Sequence, residues 1–174
     1  VLVRNGFKGP VYGTNPTLDI GKIILYDSAR IQENEAERAN QEGYSKHHPA
    51  KPLYTVQEVE TATRFFKGLP PSRWTQIVPE VKARFQYNGH IIGSTFIELD
   101  IHHKRFVFSG DVGRLNDLLL FKPLRPKKAD FLFLESTYGA RFHPEEKDTI
   151  PAIASIINET VARGGSLFIP SFSV

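Results

Sequence analysis

The first third of the chain carries apolar residues at helical spacing. From Thr14 onward, apolar residues recur every three or four positions up to a charged stretch over residues 32–42. This pattern predicts one broken helix or two consecutive helices, with an apolar face made of Leu18, Ile20, Ile23, Ile24 and Ile31. Residues 44–53 have no periodicity, so they are interpreted as a surface loop.

A second helix is predicted to begin at a capping box. Thr55 and Glu58 have the required spacing, and the apolar face that follows extends through Phe65 and Phe66 to a stop at Gly68. A third helix is predicted over residues 145–163, and a glycine pair closes it.

The period changes to two after Trp74, which indicates strands. Residues 81–87 and 95–101 alternate apolar and polar side chains, and the polar tip His102-His103 predicts a hairpin whose returning strand covers residues 105–109. Residues 129–134 and 167–172 are apolar runs typical of strands that are buried on both faces. This order of elements predicts an α/β architecture with a mixed sheet.

Composition narrows the chemistry that the chain can perform. The 174 residues include no Cys, so any metal must be held by His and carboxylate ligands. A net charge of +3 is compatible with a polyanionic partner but does not require one.

The sequence also bears on location and completeness. It has no apolar run of membrane-spanning length and no signal pattern, and we therefore expect a cytoplasmic protein. Because the chain has no Met and stops within an apolar run, both ends are expected to be cut from a longer protein.

Three short segments at predicted strand ends each place one metal-binding type of side chain among glycines. They contain His90, Asp111 and Glu135. Glycine allows the sharp backbone turn that directs such a side chain into a cleft, and imidazole and carboxylate are suitable ligands for zinc or manganese. From spacing alone, however, an ordinary turn is the favoured interpretation of the Gly-His and Gly-Asp segments.

The order of these segments resembles the metallo-β-lactamase superfamily. His90 and Asp111 match its third and fourth metal-ligand motifs. The segment from Glu135 to Gly139, together with residues 164–174, resembles the start of the β-CASP insertion that RNA-processing members carry and ordinary lactamases and glyoxalases lack. Glu135 matches the first acidic motif of that insertion, where DNA-repair members tend to have Asp, so RNA is the preferred substrate.

The resemblance implies a partial αββα sandwich over residues 1–139, without the N-terminal metal motifs, and the first helix and strand of a β-CASP domain over residues 140–174. It also implies a zinc-dependent ribonuclease with RNA as partner, in which His90 and Asp111 bind metal, two zinc ions are held, and Glu135 is catalytic. Since the remaining ligands of the family fall outside this chain, the chain alone is expected to be inactive.

Two other functions stay open. A small-molecule hydrolase of the same superfamily would share the His90 and Asp111 turns, but the segment beginning at Glu135 argues against it. A non-catalytic scaffold subunit of an RNA-processing complex would keep the fold, but the retention of both ligands argues against that. A homo-oligomer is also left open, because apolar surface at the cut ends favours self-association.

Other polar clusters receive simpler interpretations. The neighbouring pairs His47-His48 and His102-His103 are assigned to a loop and a hairpin tip, because adjacent side chains diverge. A basic connector is interpreted as solvated, although phosphate contact stays open; it contains Arg125, Lys127 and Lys128. Ser136, Thr137 and Tyr138 are either phosphate donors or an ordinary loop.

Overall fold

The computed structural model of the chain describes residues 1–141 and 149–171. It divides into two units, Val1–Glu135 and Ser136–Val174. Within the described ranges no helix is both long enough and apolar enough to cross a membrane. The predicted domain division at residue 139 stays a prediction.

The described residues form three helices and seven strands. The helices of the described residues are α1 (Asn15–Glu42), α2 (Val56–Thr63) and α3 (Thr149–Ala162). The strands are β1 (Val11–Gly13), β2 (Phe66–Gly68), β3 (Thr75–Val78), β4 (Val81–Tyr87), β5 (Thr95–Ile101), β6 (Lys104–Phe108) and β7 (Phe131–Phe133).

Helix α1 is one continuous helix of 28 residues, so the prediction of a break or of two helices was wrong. Thr14 is the N-cap, and Gly43 ends the helix in the left-handed conformation with φ 70°. The charged second half remains helical because its exposed side chains pair one turn apart, as in the 2.7 Å contact between Arg38 and Glu42.

The capping box of α2 is confirmed: the Thr55 hydroxyl accepts from the Glu58 N–H, and the Glu58 carboxylate accepts from the Thr55 N–H. The helix ends earlier than predicted, at Thr63. Phe66 lies in β2, which pairs in parallel with β1 in a two-stranded sheet. Both strands have three residues, too few to show an alternating pattern.

The main sheet has the strand order β3-β4-β5-β6-β7. The pairs from β3 to β6 are antiparallel and β6–β7 is parallel, which confirms the predicted mixed sheet and hairpin. His102 and His103 form the hairpin tip, both with positive φ. On one face of the sheet, Ala83 and Phe85 pack with Leu69 in a small buried core.

Strand β7 forms, but its predicted burial on both faces was wrong. Phe131, Leu132 and Phe133 are each about half exposed, at 49%, 54% and 54%. Among the described strands β7 is the outermost strand of the sheet and has only β6 as a neighbour. Its two phenylalanines stack on Phe106 and Phe108, at centroid distances of 4.6 and 4.5 Å.

The second unit contains α3, which ends before Gly164 at φ 68°. The predicted helix start at residue 145 lies outside the described residues, as does residue 172 of the predicted last strand. Over residues 167–171, which the structure does describe, no strand is assigned, so that part of the prediction was wrong. An apolar run becomes a strand only where another backbone pairs with it, and a local pattern does not show the pairing.

Candidate metal centre

The segments that contain His90, Asp111 and Glu135 all lie at one edge of the main sheet. Strands β4 and β6 run in the same direction, β5 runs against them, and β7 is parallel to β6. The ends of β4, β6 and β7 therefore meet the start of β5 at this edge. His90 follows β4, Asp111 follows β6, and Glu135 follows β7.

The structure brings His90 and Asp111 together. Nε2 of His90 lies 3.7 Å from Oδ2 of Asp111, and the side chains are 45% and 71% exposed. Both line a cleft of about 310 Å³, whose wall also includes Tyr12 of β1 and Thr17 in the first turn of α1. The two side chains are thus accessible from solvent and close enough to bind one ligand together.

The His90 turn is fixed to the start of helix α1. Gly93, at φ 81°, directs its carbonyl to the hydroxyl groups of Thr14 and Thr17, and both donate hydrogen bonds to it. A Cβ atom on Gly93 would lie 2.6 Å from the backbone nitrogen of Thr17, so no other residue fits. The N-cap of α1 therefore also holds the loop that carries His90.

The Asp111 turn packs directly against the His90 turn. The Gly113 N–H donates to the Asn88 carbonyl at 2.8 Å. A Cβ atom on Gly113 would lie 1.8 Å from the carbonyl oxygen of Gly89, which shows how closely the two backbones approach. Glycine is required here by this backbone contact.

Asn88 is a site residue that the sequence analysis missed. It is only 3% exposed, and its side-chain amide hydrogen-bonds to Ser94 and Ser109, which belong to different segments of the sheet edge. The available signal was a polar amide placed between an alternating strand and a Gly-His turn. A short polar residue there is more often part of an ordinary turn, so the pattern alone did not single it out.

Glu135 is attached to the backbone of the Asp111 loop. Its Oε1 atom accepts a hydrogen bond from the Val112 N–H at 2.8 Å, and its own N–H donates to Ser109 Oγ at 3.0 Å. The side chain is partly buried. The structure thus places this carboxylate beside the residue that follows Asp111, and its catalytic role stays a prediction.

The donor types of His90 and Asp111 suit a divalent metal, but they fit as two ligands of a larger set. Among residues 1–141 and 149–171, no group of three His, Asp or Glu side chains is arranged to hold a metal ion. A zinc site needs at least three protein ligands. The metal-ligand roles of both residues therefore stay predictions.

The other histidines and the basic connector lie elsewhere. His102 pairs with Glu80 at 3.2 Å at the hairpin tip. His47 lies in the exposed loop that follows α1. In the basic connector, Lys128 lies 3.7 Å from Asp130.

Comparison with known proteins extends over essentially the whole chain. No family model matches it. The chain is 28% identical to Ribonuclease TTHA0252 of Thermus thermophilus, over 99% of the chain and 36% of the relative. It is 30% identical to Transcription termination factor FttA of Cenarchaeum symbiosum, over 98% of the chain and 25% of the relative. It is 26% identical to Endoribonuclease YSH1 of Gibberella zeae, over 100% and 20%.

These relatives belong to one class of protein, and the mixed α/β fold is consistent with it. The chain is a homologue of the β-CASP ribonucleases of the metallo-β-lactamase superfamily. It spans between a fifth and just over a third of the length of these curated relatives.

Proposed function

We propose that the full-length protein containing this chain is a metal-dependent ribonuclease that hydrolyses RNA phosphodiester bonds. The observation that carries the proposal is the approach of His90 Nε2 to Asp111 Oδ2, at 3.7 Å in an open cleft. Two of the similar proteins are named as ribonucleases, which supports RNA as the substrate.

Each residue has a specific part in this proposal. His90 would supply an imidazole nitrogen to the metal, and Asp111 would supply a carboxylate whose two oxygens suit metal ions. Two zinc ions, when bound, would act as Lewis acids that stabilise the negative charge on the oxygens of the reacting phosphate. Residues outside this chain would complete the ligand set.

Glu135 is proposed to hold and orient a proton-donating group near the cleft. Its Oε1 atom is already fixed by the Val112 N–H, so the carboxylate has a defined position relative to the Asp111 turn. A carboxylate whose position is fixed in this way can orient a neighbouring donor.

A cleavage assay with end-labelled RNA tests the proposal on the full-length protein. Cleavage should disappear after removal of metal with a chelator and return when zinc is added. A DNA oligonucleotide of the same sequence distinguishes RNA specificity from general phosphodiesterase activity, and an ester or thioester substrate tests the small-molecule alternative. Absence of cleavage by metal-loaded protein, or cleavage that survives metal removal, would overturn the proposal.

A further inference from the structure

We infer that Asn88 is a positioning residue that holds His90 and Asp111 at ligand distance from each other. The inference rests on the proposed function, since it concerns the same pair of residues. Asn88 lies directly after β4 at the sheet edge described above, and it is buried beneath the cleft that His90 and Asp111 line.

On the Asp111 side, Asn88 connects to the loop at both of its ends. Its Nδ2 atom donates to the Ser109 carbonyl at 3.0 Å, and its backbone carbonyl accepts from the Gly113 N–H at 2.8 Å. Asp111 lies midway between these two anchors. Because both ends of the loop are tied to one residue, the loop cannot move away from the end of β4 without breaking a buried hydrogen bond.

On the His90 side, the connection passes through a serine hydroxyl. Ser94 Oγ donates to Asn88 Oδ1 at 2.6 Å and accepts from the N–H groups of His90 and Ile91, at 3.2 and 3.0 Å. The side-chain amide thus uses its donor toward the Asp111 loop and its acceptor toward the His90 turn. A side chain with only one of these functions could not join both.

The surroundings of the amide leave little freedom for another arrangement. A Cβ atom on Gly110 would lie 3.3 Å from Asn88 Nδ2, so the amide packs closely on the backbone of the Asp111 turn. Truncation of Asn88 would leave the Ser109 carbonyl and the Ser94 hydroxyl without their buried partner, and both would have to move or admit water. Either change would alter the distance between His90 and Asp111.

Two variants and one control test the inference in the full-length protein. Asn88→Ala removes the whole connection, and Ser94→Ala breaks it on the His90 side with a smaller change in volume. Gln86→Ala is the matched control, because Gln86 carries a side-chain amide two residues before Asn88 but pairs with the exposed Ser72 hydroxyl at 2.7 Å. The measurements are the unfolding temperature, the dissociation constant for Zn²⁺ by competition titration, and kcat and KM for RNA cleavage.

A positioning role predicts weaker metal binding by folded protein. Measured well below the unfolding temperature of each variant, Asn88→Ala and Ser94→Ala should raise the zinc dissociation constant about tenfold or more, as is typical for residues that orient metal ligands. Both should lower kcat more than they raise KM, and Gln86→Ala should match the wild type. If Asn88→Ala does not fold, Ser94→Ala alone decides the matter.

A purely structural role would give a different result. In that case the unfolding temperature would fall while zinc affinity and kcat of the folded variants stayed within about twofold of wild type, and the inference would be overturned. Metal binding by wild-type protein without RNA cleavage would refute only the proposed function. The zinc affinities of the variants would still show whether Asn88 positions the two ligands. Wild-type protein that binds no zinc would overturn both.

Discussion

Nε2 of His90 lies 3.7 Å from Oδ2 of Asp111, although the two residues belong to turns that follow different strands. Both turns leave the same edge of the main sheet, and their backbones touch at Gly89 and Gly113. Two exposed polar side chains are thereby held close by a tight backbone contact between two glycines beneath them.

In the proposed ribonuclease, Asp111→Asn should abolish hydrolysis and leave the fold intact. The substitution keeps the shape of the side chain but removes the negative charge with which it would bridge two metal ions. Steady-state RNA cleavage and metal content should be measured on the full-length variant, with circular dichroism to verify folding. Asp19→Asn on the exposed face of α1 is a suitable control. Wild-type turnover with two metals retained would show that Asp111 is not a ligand.

Glu135→Gln should reduce turnover strongly and leave metal content nearly unchanged. Glutamine keeps an oxygen that can accept from the Val112 N–H, so the loop geometry should survive, but it lacks the charge needed to orient a proton donor. Single-turnover cleavage and zinc analysis of the same preparation test the prediction. A parallel loss of zinc and activity would place Glu135 among the metal ligands instead.

The sequence predicts a structural element best where the residues that form the pattern also make the contacts that stabilise the element. The alternation over residues 81–87 and 95–101 gives β4 and β5, since one face of each strand packs against the core. The Thr55–Glu58 capping box gives the start of α2, because the signal and the hydrogen bonds that it produces lie within one turn. Sequence-distant pairing is not visible in this way, and both strands of the β1–β2 sheet were missed.

In the candidate site, too, the residues with a local pattern could be predicted and those that depend on distant contacts could not. His90 and Asp111 could be proposed from their glycine turns and the family resemblance. Asn88 could not, because its role depends on Ser109, which is 21 positions away along the chain and adjacent only after β4, β5 and β6 have paired. A residue whose role is to connect two loops has no local signature.

Glu98→Ala should destabilise the chain by about 3–5 kcal/mol, the usual cost of removing one member of a buried ion pair. The Glu98 side chain has no exposed surface and lies 2.6 Å from Arg84 Nε and 3.6 Å from Arg105 Nη1. Both guanidinium groups also contact the Trp74 ring, at 4.6 and 4.3 Å. Without the carboxylate, two neighbouring positive charges would be left at the sheet surface.

Urea unfolding of wild type and variant measures this loss. Glu42→Ala provides the control, because Glu42 forms an exposed ion pair with Arg38 at 2.7 Å. Loss of that pair should lower the free energy of unfolding by less than about 1 kcal/mol. Equal losses for the two variants would mean that burial adds nothing to the Glu98 pair.

Acid should destabilise the chain partly through Asp130. Its Oδ2 atom accepts from the backbone N–H of Arg105 at 2.7 Å, and this hydrogen bond lowers the pKa of Asp130 below the ordinary value of 3.8. A lowered pKa in the folded state contributes stability above pH 3.8, and that contribution is lost as the pH falls through the folded value. Asp130→Asn keeps an acceptor but does not titrate, so unfolding free energy should decline less steeply below about pH 4. Unfolding free energies can be measured by urea titration at a series of pH values. If they fall with pH as steeply in the variant as in the wild type, the role assigned to Asp130 is wrong.

The 174-residue chain by itself should bind zinc weakly and should not cleave RNA. In the proposed site, His90 and Asp111 supply two ligands, and among the described residues no third His, Asp or Glu joins them to form a group that could hold a metal. Zinc sites with submicromolar affinity need at least three protein ligands. His102 cannot complete the set, because it lies at the opposite end of the β5–β6 hairpin and pairs there with Glu80.

Calorimetric titration of the isolated chain with zinc, accompanied by an RNA cleavage assay, measures both parts of this prediction. The His90→Ala variant is the control for adventitious binding at other histidines, since any weak binding that survives the substitution does not involve the candidate site. Binding of one or two zinc ions per chain with submicromolar affinity, together with metal-dependent cleavage, would show that the chain contains further metal ligands besides His90 and Asp111. Weak binding that His90→Ala abolishes would instead support a two-ligand partial site at this sheet edge.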